Sequence, residues 1–323
     1  MRLLHLWLIS LVVGGWSQAA ADAVLSTEAL TGLRHLAIQH NGRVKPFDSF
    51  ARESLDLMTG ASTRDGEDPV RTVLSIATSP SMWVDAPLLS IPFVPLRESL
   101  GFSRTTAHVS LNALLEQRTL MRMLPAIVEQ QQREEKLSML ESEALDLYAR
   151  FVALHGLLQQ EFALVPPMRE TDRTWLSISK TSLQEGWAAL LGAFQQKDSA
   201  GLASATQQFA DTVRRVNPSA YPPAWRLQLE VLYNRVAPFA IARTLYAMTA
   251  IVLVVGFVLA RAPRRRLAIG LCVAGFLVHG AGIGARVILS GRPPVSNFYE
   301  TMLWLPFVVV ALALVFERIY RAQ

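Results

Sequence analysis

His279 stands in the middle of an apolar run, Phe276-Leu277-Val278-His279-Gly280-Ala281-Gly282-Ile283-Gly284-Ala285-Arg286. An ionisable side chain within a stretch long enough to cross a bilayer is costly, and its default reading is functional. A neutral imidazole there can ligate a haem iron. It can equally hydrogen-bond across to a neighbouring helix. Gly275, Gly280, Gly282 and Gly284 would then serve small-residue packing rather than clear room for a flat macrocycle. Arg286 follows seven residues later, two turns along the same helical face. It can pair with Glu300, meet an anionic group such as a haem propionate, or snorkel to the interface. Arg292 and Glu300 flank Pro293-Pro294 in the loop SGRPPVSNFYET. Prolines hold such a loop extended, so those charges are presented in fixed geometry.

Other residues offer less. His35 and His40 bracket Leu36-Ala37-Ile38-Gln39 and could be metal or haem ligands, although two isolated histidines near a turn are usually neither. His108 and His155 fall on helical patterns with no companion ligand. There is no HExxH, GxSxG, Walker lysine or dinucleotide fingerprint, which leaves no nucleophile–base pair to assign. Cys272, the only cysteine, lies in an apolar run, so no internal disulfide and no CxxC centre is possible. Lys and Arg outnumber Asp and Glu by 31 to 26. The arginines cluster beside apolar segments, which fits membrane topology and not nucleic-acid binding. One further segment is dense: Gln39-His40-Asn41-Gly42-Arg43-Val44-Lys45-Pro46-Phe47-Asp48-Ser49-Phe50-Ala51. Asn41-Gly42 makes a tight turn, Pro46 stops any strand, and Asp48 can cap a helix starting near Ser49. Turn and cap together leave the alternation of Arg43 and Lys45 unexplained.

The elements that must position these groups follow from texture. Residues 1–21 carry a basic start, an apolar core and small residues at a cleavage position, which reads as a secretory signal peptide or an uncleaved anchor. Residues 22–237 show helical periodicity and predict a mainly α extracytoplasmic domain large enough to bury its own core. Asp68-Pro69 is an N-cap followed by proline at the first helical position. Helices are expected over about 107–124, from about Pro125 to Phe162, and over about 181–196, 199–216 and 223–237, with Val165-Pro166-Pro167, Asn217-Pro218 and Pro222-Pro223 as stops. Residues 238–323 predict a membrane domain with three transmembrane helices at about 239–260, 267–289 and 301–317. At ~1.5 Å per residue the first of these spans ~30 Å of hydrocarbon. The four arginines between 261 and 266 belong in the cytoplasm by the positive-inside rule. The domain 22–237 and the SGRPPVSNFYET loop then lie outside, on the periplasmic side of an inner (cytoplasmic) membrane, and Arg318 and Arg321 end inside.

Two motifs carry a resemblance. SGRPPVSNFYETMLW resembles the loop-and-helix segment of the CcsA (ResC) family of System II cytochrome c biogenesis, in which a helix with a His and an Arg leads into Gly-Arg/His-x-Pro…Ser-Asn-x-Tyr-Glu-Ser/Thr-Met. His279, Arg286, Gly291, Arg292, Pro294, Ser296, Asn297, Tyr299, Glu300, Thr301 and Met302 match that pattern. HNGRVKPFDSFARESL resembles the Gln-x-x-Gly-Arg-Ile-Lys-Pro segment ahead of the CcsA part in fused CcsBA-type synthases. Leu229-Glu230-Val231-Leu232-Tyr233-Asn234-Arg235-Val236-Ala237-Pro238-Phe239 is similar to their approach to the next span.

The resemblance implies haem as a transported or bound substrate, delivered to the outer face and attached to apocytochrome c. It implies His279 as a haem-iron ligand, and Arg286, Arg292 and Glu300 as haem contacts or their supports. The family hallmark, a WGxxWxWD segment flanked by histidines, has no counterpart here; Trp304 is the only tryptophan after Trp225. The expectation is therefore an incomplete synthase (haem lyase), inactive alone, working with a WWD-bearing CcsA-like chain and a CcsB/ResB-like protein beside membrane lipid. Whether that reflects a split gene or a truncated product stays open. The alternative is a membrane-anchored periplasmic scaffold that binds a partner protein and makes no haem contact.

Overall fold

The computed structural model describes residues 25, 28–169, 171–258, 265–295 and 298–321. The expected signal peptide, Arg261, Arg264, Ser296 and Asn297 lie outside these residues. The described chain is mainly helical, and three helices at its carboxy-terminal end are long and apolar enough to cross a membrane.

After a single turn, α1 (Thr31–Arg34), the chain forms a hairpin of β1 (Ala37–His40) and β2 (Arg43–Pro46). Asn41 and Gly42 make its turn with φ of 51° and 72°. Two successive positive φ values suit the right-handed twist of a two-residue hairpin, and Asn-Gly tolerates them best. Pro46 pairs with Ala37 and ends the strand. It is also the N-cap of α2 (Phe47–Thr59), which closes at Gly60 in the left-handed conformation. Asp48 is thus inside the first turn, not the cap; its carboxylate is taken by Arg34 and Arg52 instead. Asp68 does cap α3 (Pro69–Thr78), accepting from the Val70 and Arg71 amides.

Short elements follow: α4 (Pro80–Trp83), β3 (Leu89–Ser90), α5 (Val94–Ser99) and β4 (His108–Val109), with β3 and β4 antiparallel. The helix expected over 107–124 is two helices, α6 (Leu111–Gln117) and α7 (Thr119–Gln132), broken at Arg118 with φ 51°. The helix expected from Pro125 to Phe162 is also divided. Pro125 lies inside α7, and Glu134 takes a positive φ. α8 (Met139–Leu158) then starts from a capping box in which Ser138 and Glu141 satisfy each other's amides. α8 stops at Gln160, φ 55°, before the prolines. α9 (Gln184–Gln195), α10 (Ser199–Val216) and α11 (Ala224–Val236) follow the expected helices closely.

One continuous core runs from Leu25 to Leu227. At its centre Phe47, Phe162, Trp187 and Phe209 meet ring against ring at 5.4–5.8 Å. Such pairs add about 0.5–1.5 kcal/mol each beyond their burial. This amino-terminal body continues through Ala237 into α12 (Pro238–Val258), α13 (Arg265–Ser290) and α14 (Phe298–Arg321).

Candidate functional site

The hairpin and α11 meet through charge. Residues two apart on a strand share a face, so Arg43 and Lys45 of β2 point the same way, with His40 opposite Arg43. All three converge on Glu53 of α2: His40 and Arg43 each approach its carboxylate to 3.6 Å, and Lys45 donates a hydrogen bond to it. Lys45 is almost wholly buried, which explains the alternation. Burial alone would raise Glu53, but His40, Lys45 and Arg43 hold it down at about 2. Arg43 also reaches 187 residues along the chain to Glu230 of α11, donating from both terminal nitrogens at 2.8 Å. Ser49 donates to the same carboxylate at 2.7 Å, and Asn234 donates to Ser49 and Asp48. Burial works to lower the Arg43 pKa, but the Glu230 carboxylate raises it above its ordinary value. The two segments singled out separately in the sequence therefore form one junction.

That junction opens onto α13. Arg43, Arg52, Glu53, Glu230, Tyr233 and Arg286 line a cavity of about 350 Å³. Arg226 of α11 donates to the Leu289 carbonyl at 2.8 Å, capping the end of α13. Arg286 lies over the Tyr299 ring at 4.8 Å and within 3.7 Å of Glu300, while its Nε is buried without a hydrogen bond to any described residue. Its guanidinium is held by stacking, a long ion pair and a hydrogen bond with the Tyr233 hydroxyl, and a five-donor fork so held still has donors for a ligand carboxylate. Glu300 is buried. Arg292 joins Arg286 and Glu300 around a second cavity of only about 10 Å³, room for a single water. Its side chain is exposed. Of the predicted residues, Arg286 and Glu300 are brought together, and Arg292 is left at the rim.

His279 lies two turns below Arg286, 5% exposed. Phe239 of α12 and Phe307 of α14 meet it edge-on at 5.5 Å, and Tyr246 stands at 6.0 Å. The Tyr246 hydroxyl is 3.4 Å from Nδ1, a long hydrogen bond. Nε2 has no hydrogen bond to a described residue, and the ring's α14 side approaches the Leu303 backbone. The glycines make the seam narrow. A methyl at Gly275 would stand 2.8 Å from Tyr246, one at Gly282 3.0 Å from Phe239, and one at Gly280 3.3 Å from Phe307. Gly284 meets nothing within 4 Å, so only three of the four serve approach. The seam fits an imidazole ligand in one respect, a buried orphan nitrogen. In another it is closed, because Phe307 and α14 lie against it.

The other histidines have local partners. His35 Nδ1 is 2.8 Å from the Thr31 carbonyl, His108 Nε2 is 3.1 Å from the Thr59 carbonyl, and His155 stacks on Phe151. His40 belongs to the Glu53 cluster. Among the described residues no three His, Cys, Asp or Glu side chains form a metal-holding group. Sequence reasoning missed Glu53 and Glu230 as partners. The only local signal for Glu230 is that it is the sole acid of α11.

No family model matches the chain. It is similar to Protein NrfI of Wolinella succinogenes, 25% identical over 321 aligned residues that cover 91% of this chain. The chain spans about a third of that relative's length, 35%. The likeness thus embraces both the charged junction and the His279 seam.

Proposed function

We propose that this chain is a component of a System II cytochrome c biogenesis complex, taking part in haem delivery to the outer face of an inner membrane and its attachment to apocytochrome c. The observation that carries the reading is the buried His279 Nε2, left without a well-formed hydrogen bond among the described residues, in a glycine-narrowed seam two turns below the Arg286 guanidinium on the Tyr299 ring. The motif resemblance to the CcsA family and the similarity to NrfI along most of the chain support it. In this reading residues 22–237 form the periplasmic domain. His279 is the haem-iron ligand, Arg286 receives a propionate through the 350 Å³ cavity, Glu300 holds Arg286 in place, and Arg292 contributes charge at the rim. Haem is the cargo. Admitting it to Nε2 requires α14 to give way at Phe307, and a WWD-bearing partner chain, together with a CcsB/ResB-like protein, would supply the remaining walls.

The test is to purify the chain with and without a WWD-bearing partner and record the haem absorption spectrum. Haem is expected in the complex and is expected to fall when His279→Ala replaces the wild type. Unchanged haem content sinks the ligand role. A second reading, a scaffold without haem contact, is favoured by the dense Arg43–Glu230 junction and by the rings that fill the His279 seam. It predicts full haem loading of the complex when the three apolar helices are replaced by a generic anchor.

A further inference from the structure

The face of α13 that carries Arg286 and His279 continues to Cys272 and Arg265, each seven residues further back. Seven residues are nearly two turns, so these side chains form a stripe in steps of ~10.5 Å that drifts little around the helix. α14 runs antiparallel and answers in similar steps. Glu300 stands near Arg286, Phe307 against His279, Leu314 lines one cavity with Cys272, and Glu317 holds Arg265. An Arg of α13 therefore meets a Glu of α14 at both ends of the helix pair.

Between the Cys272 level and the Arg265 end the stripe borders open space. Thr249 and Leu253 of α12, Cys272 of α13 and Leu314 of α14 border a cavity of about 400 Å³. Arg265 stands at one end of it and donates to Glu317 from Nε at 2.9 Å, with Nη2 at 2.8 Å from the same oxygen. The remaining walls are Ala268, Ile269 and Ala313. An apolar slot bounded by a guanidinium fits an amphiphile with an anionic edge, because the planar fork can exchange one carboxylate for another.

We propose that this cavity is a second binding site on the chain, for a planar tetrapyrrole carrying carboxylates. Its apolar body lies between α12 and α14, and one carboxylate replaces Glu317 on Arg265. The inference rests on the haem reading above for the ligand class, and on the cavity and its ion pair for the place. It puts a bound ring two turns from His279 on the same face of α13, on the arginine-rich side where the chain returns from α12. The cavity thus becomes the loading position, and the His279 seam the next one along.

The full chain in detergent is titrated with iron-free protoporphyrin IX, whose fluorescence reports binding and which needs no axial ligand, and in parallel with its dimethyl ester. The acid is expected to bind about tenfold tighter than the ester. Arg265→Gln is expected to erase that difference and leave the ester unchanged. Leu314→Trp, which fills the cavity, is expected to weaken both by about tenfold or more. The proposal is overturned if neither porphyrin binds, if acid and ester bind alike, if Arg265→Gln weakens both equally, if Leu314→Trp changes nothing, or if oleate displaces the porphyrin at equal concentration. Failure of the haem reading looks different: in the same preparation a hemin spectrum would not respond to His279→Ala, while the porphyrin affinities kept their pattern.

Discussion

Glu230 accepts three hydrogen bonds at 2.7–2.8 Å, whereas His279, equally buried, has among the described residues only a long contact to the Tyr246 hydroxyl at 3.4 Å and a weak approach to the Leu303 backbone. Both are ionisable groups taken out of water, and both sit where two parts of the chain meet. At the junction every charge has an opposite within reach, so desolvation is offset inside the protein. In the seam the neighbours are mostly rings and glycines, and the polar groups within reach, the Tyr246 hydroxyl and the Leu303 backbone, compensate weakly. A ligand is better sought at the imidazole than at the cluster. The matched cluster has little left to offer a visitor, while the imidazole has only weak hydrogen bonds to give up among the described residues, with Arg286 above it on the Tyr299 ring.

The largest effect is expected of His279→Ala. Haem retained by the assembled complex is expected to fall about tenfold or more, while the apparent melting temperature shifts by the equivalent of only about 1 kcal/mol. A large stability loss with intact haem would reverse the assignment of roles. Glu230→Ala should do the opposite: it strands Arg43 and Ser49 and is expected to cost about 2–3 kcal/mol, read from thermal unfolding in detergent. Pairing it with Arg43→Ala should give less than the sum of the two losses. Gly275→Ala pushes a methyl against Tyr246 and is expected to cost about 1–2 kcal/mol. Gly284→Ala, with nothing near it, is expected to be neutral or slightly stabilising. A small effect also belongs to acid. Glu53 is held at about 2 against an ordinary 4.5, so its contribution is complete above about pH 4.5 and is lost as pH falls toward 2. Its side chain is 42% exposed and therefore screened, which keeps that contribution below about 1 kcal/mol. Glu53→Gln should flatten that part of the melting temperature's pH dependence.

Much of this is legible in the sequence, for unequal reasons. Apolar runs of about 20 residues have few alternatives in water, so the three long helices fall within a few residues of their expected bounds. Asp68-Pro69 works as read because a cap is a local event. Ser138-x-x-Glu141 is just as local, and it marks the start of α8 that the longer periodic pattern concealed. His279, Arg286 and Glu300 stand out by being polar in apolar surroundings, and the structure brings the last two together. The junction is not legible in this way. Arg43 has its partner 187 residues away, and no spacing rule links them. Nor does composition say that Gly284 is idle while Gly275 is in contact, since that depends on which face of α13 meets α12.

The separation between Arg43 and Glu230 has a consequence for assembly of the chain. The hairpin waits for a helix made well over a hundred residues later, at the end of the body, and closing so long a loop is slow. Until α11 arrives, Lys45, Asp48 and the first turn of α2 keep only part of their final company. Because α11 passes through a single residue, Ala237, into α12, completion of the body and the start of insertion into the bilayer are tied to the same stretch of synthesis. A pause before residue 224 would leave an unfinished body, and a pause after 258 would leave a finished one already tethered.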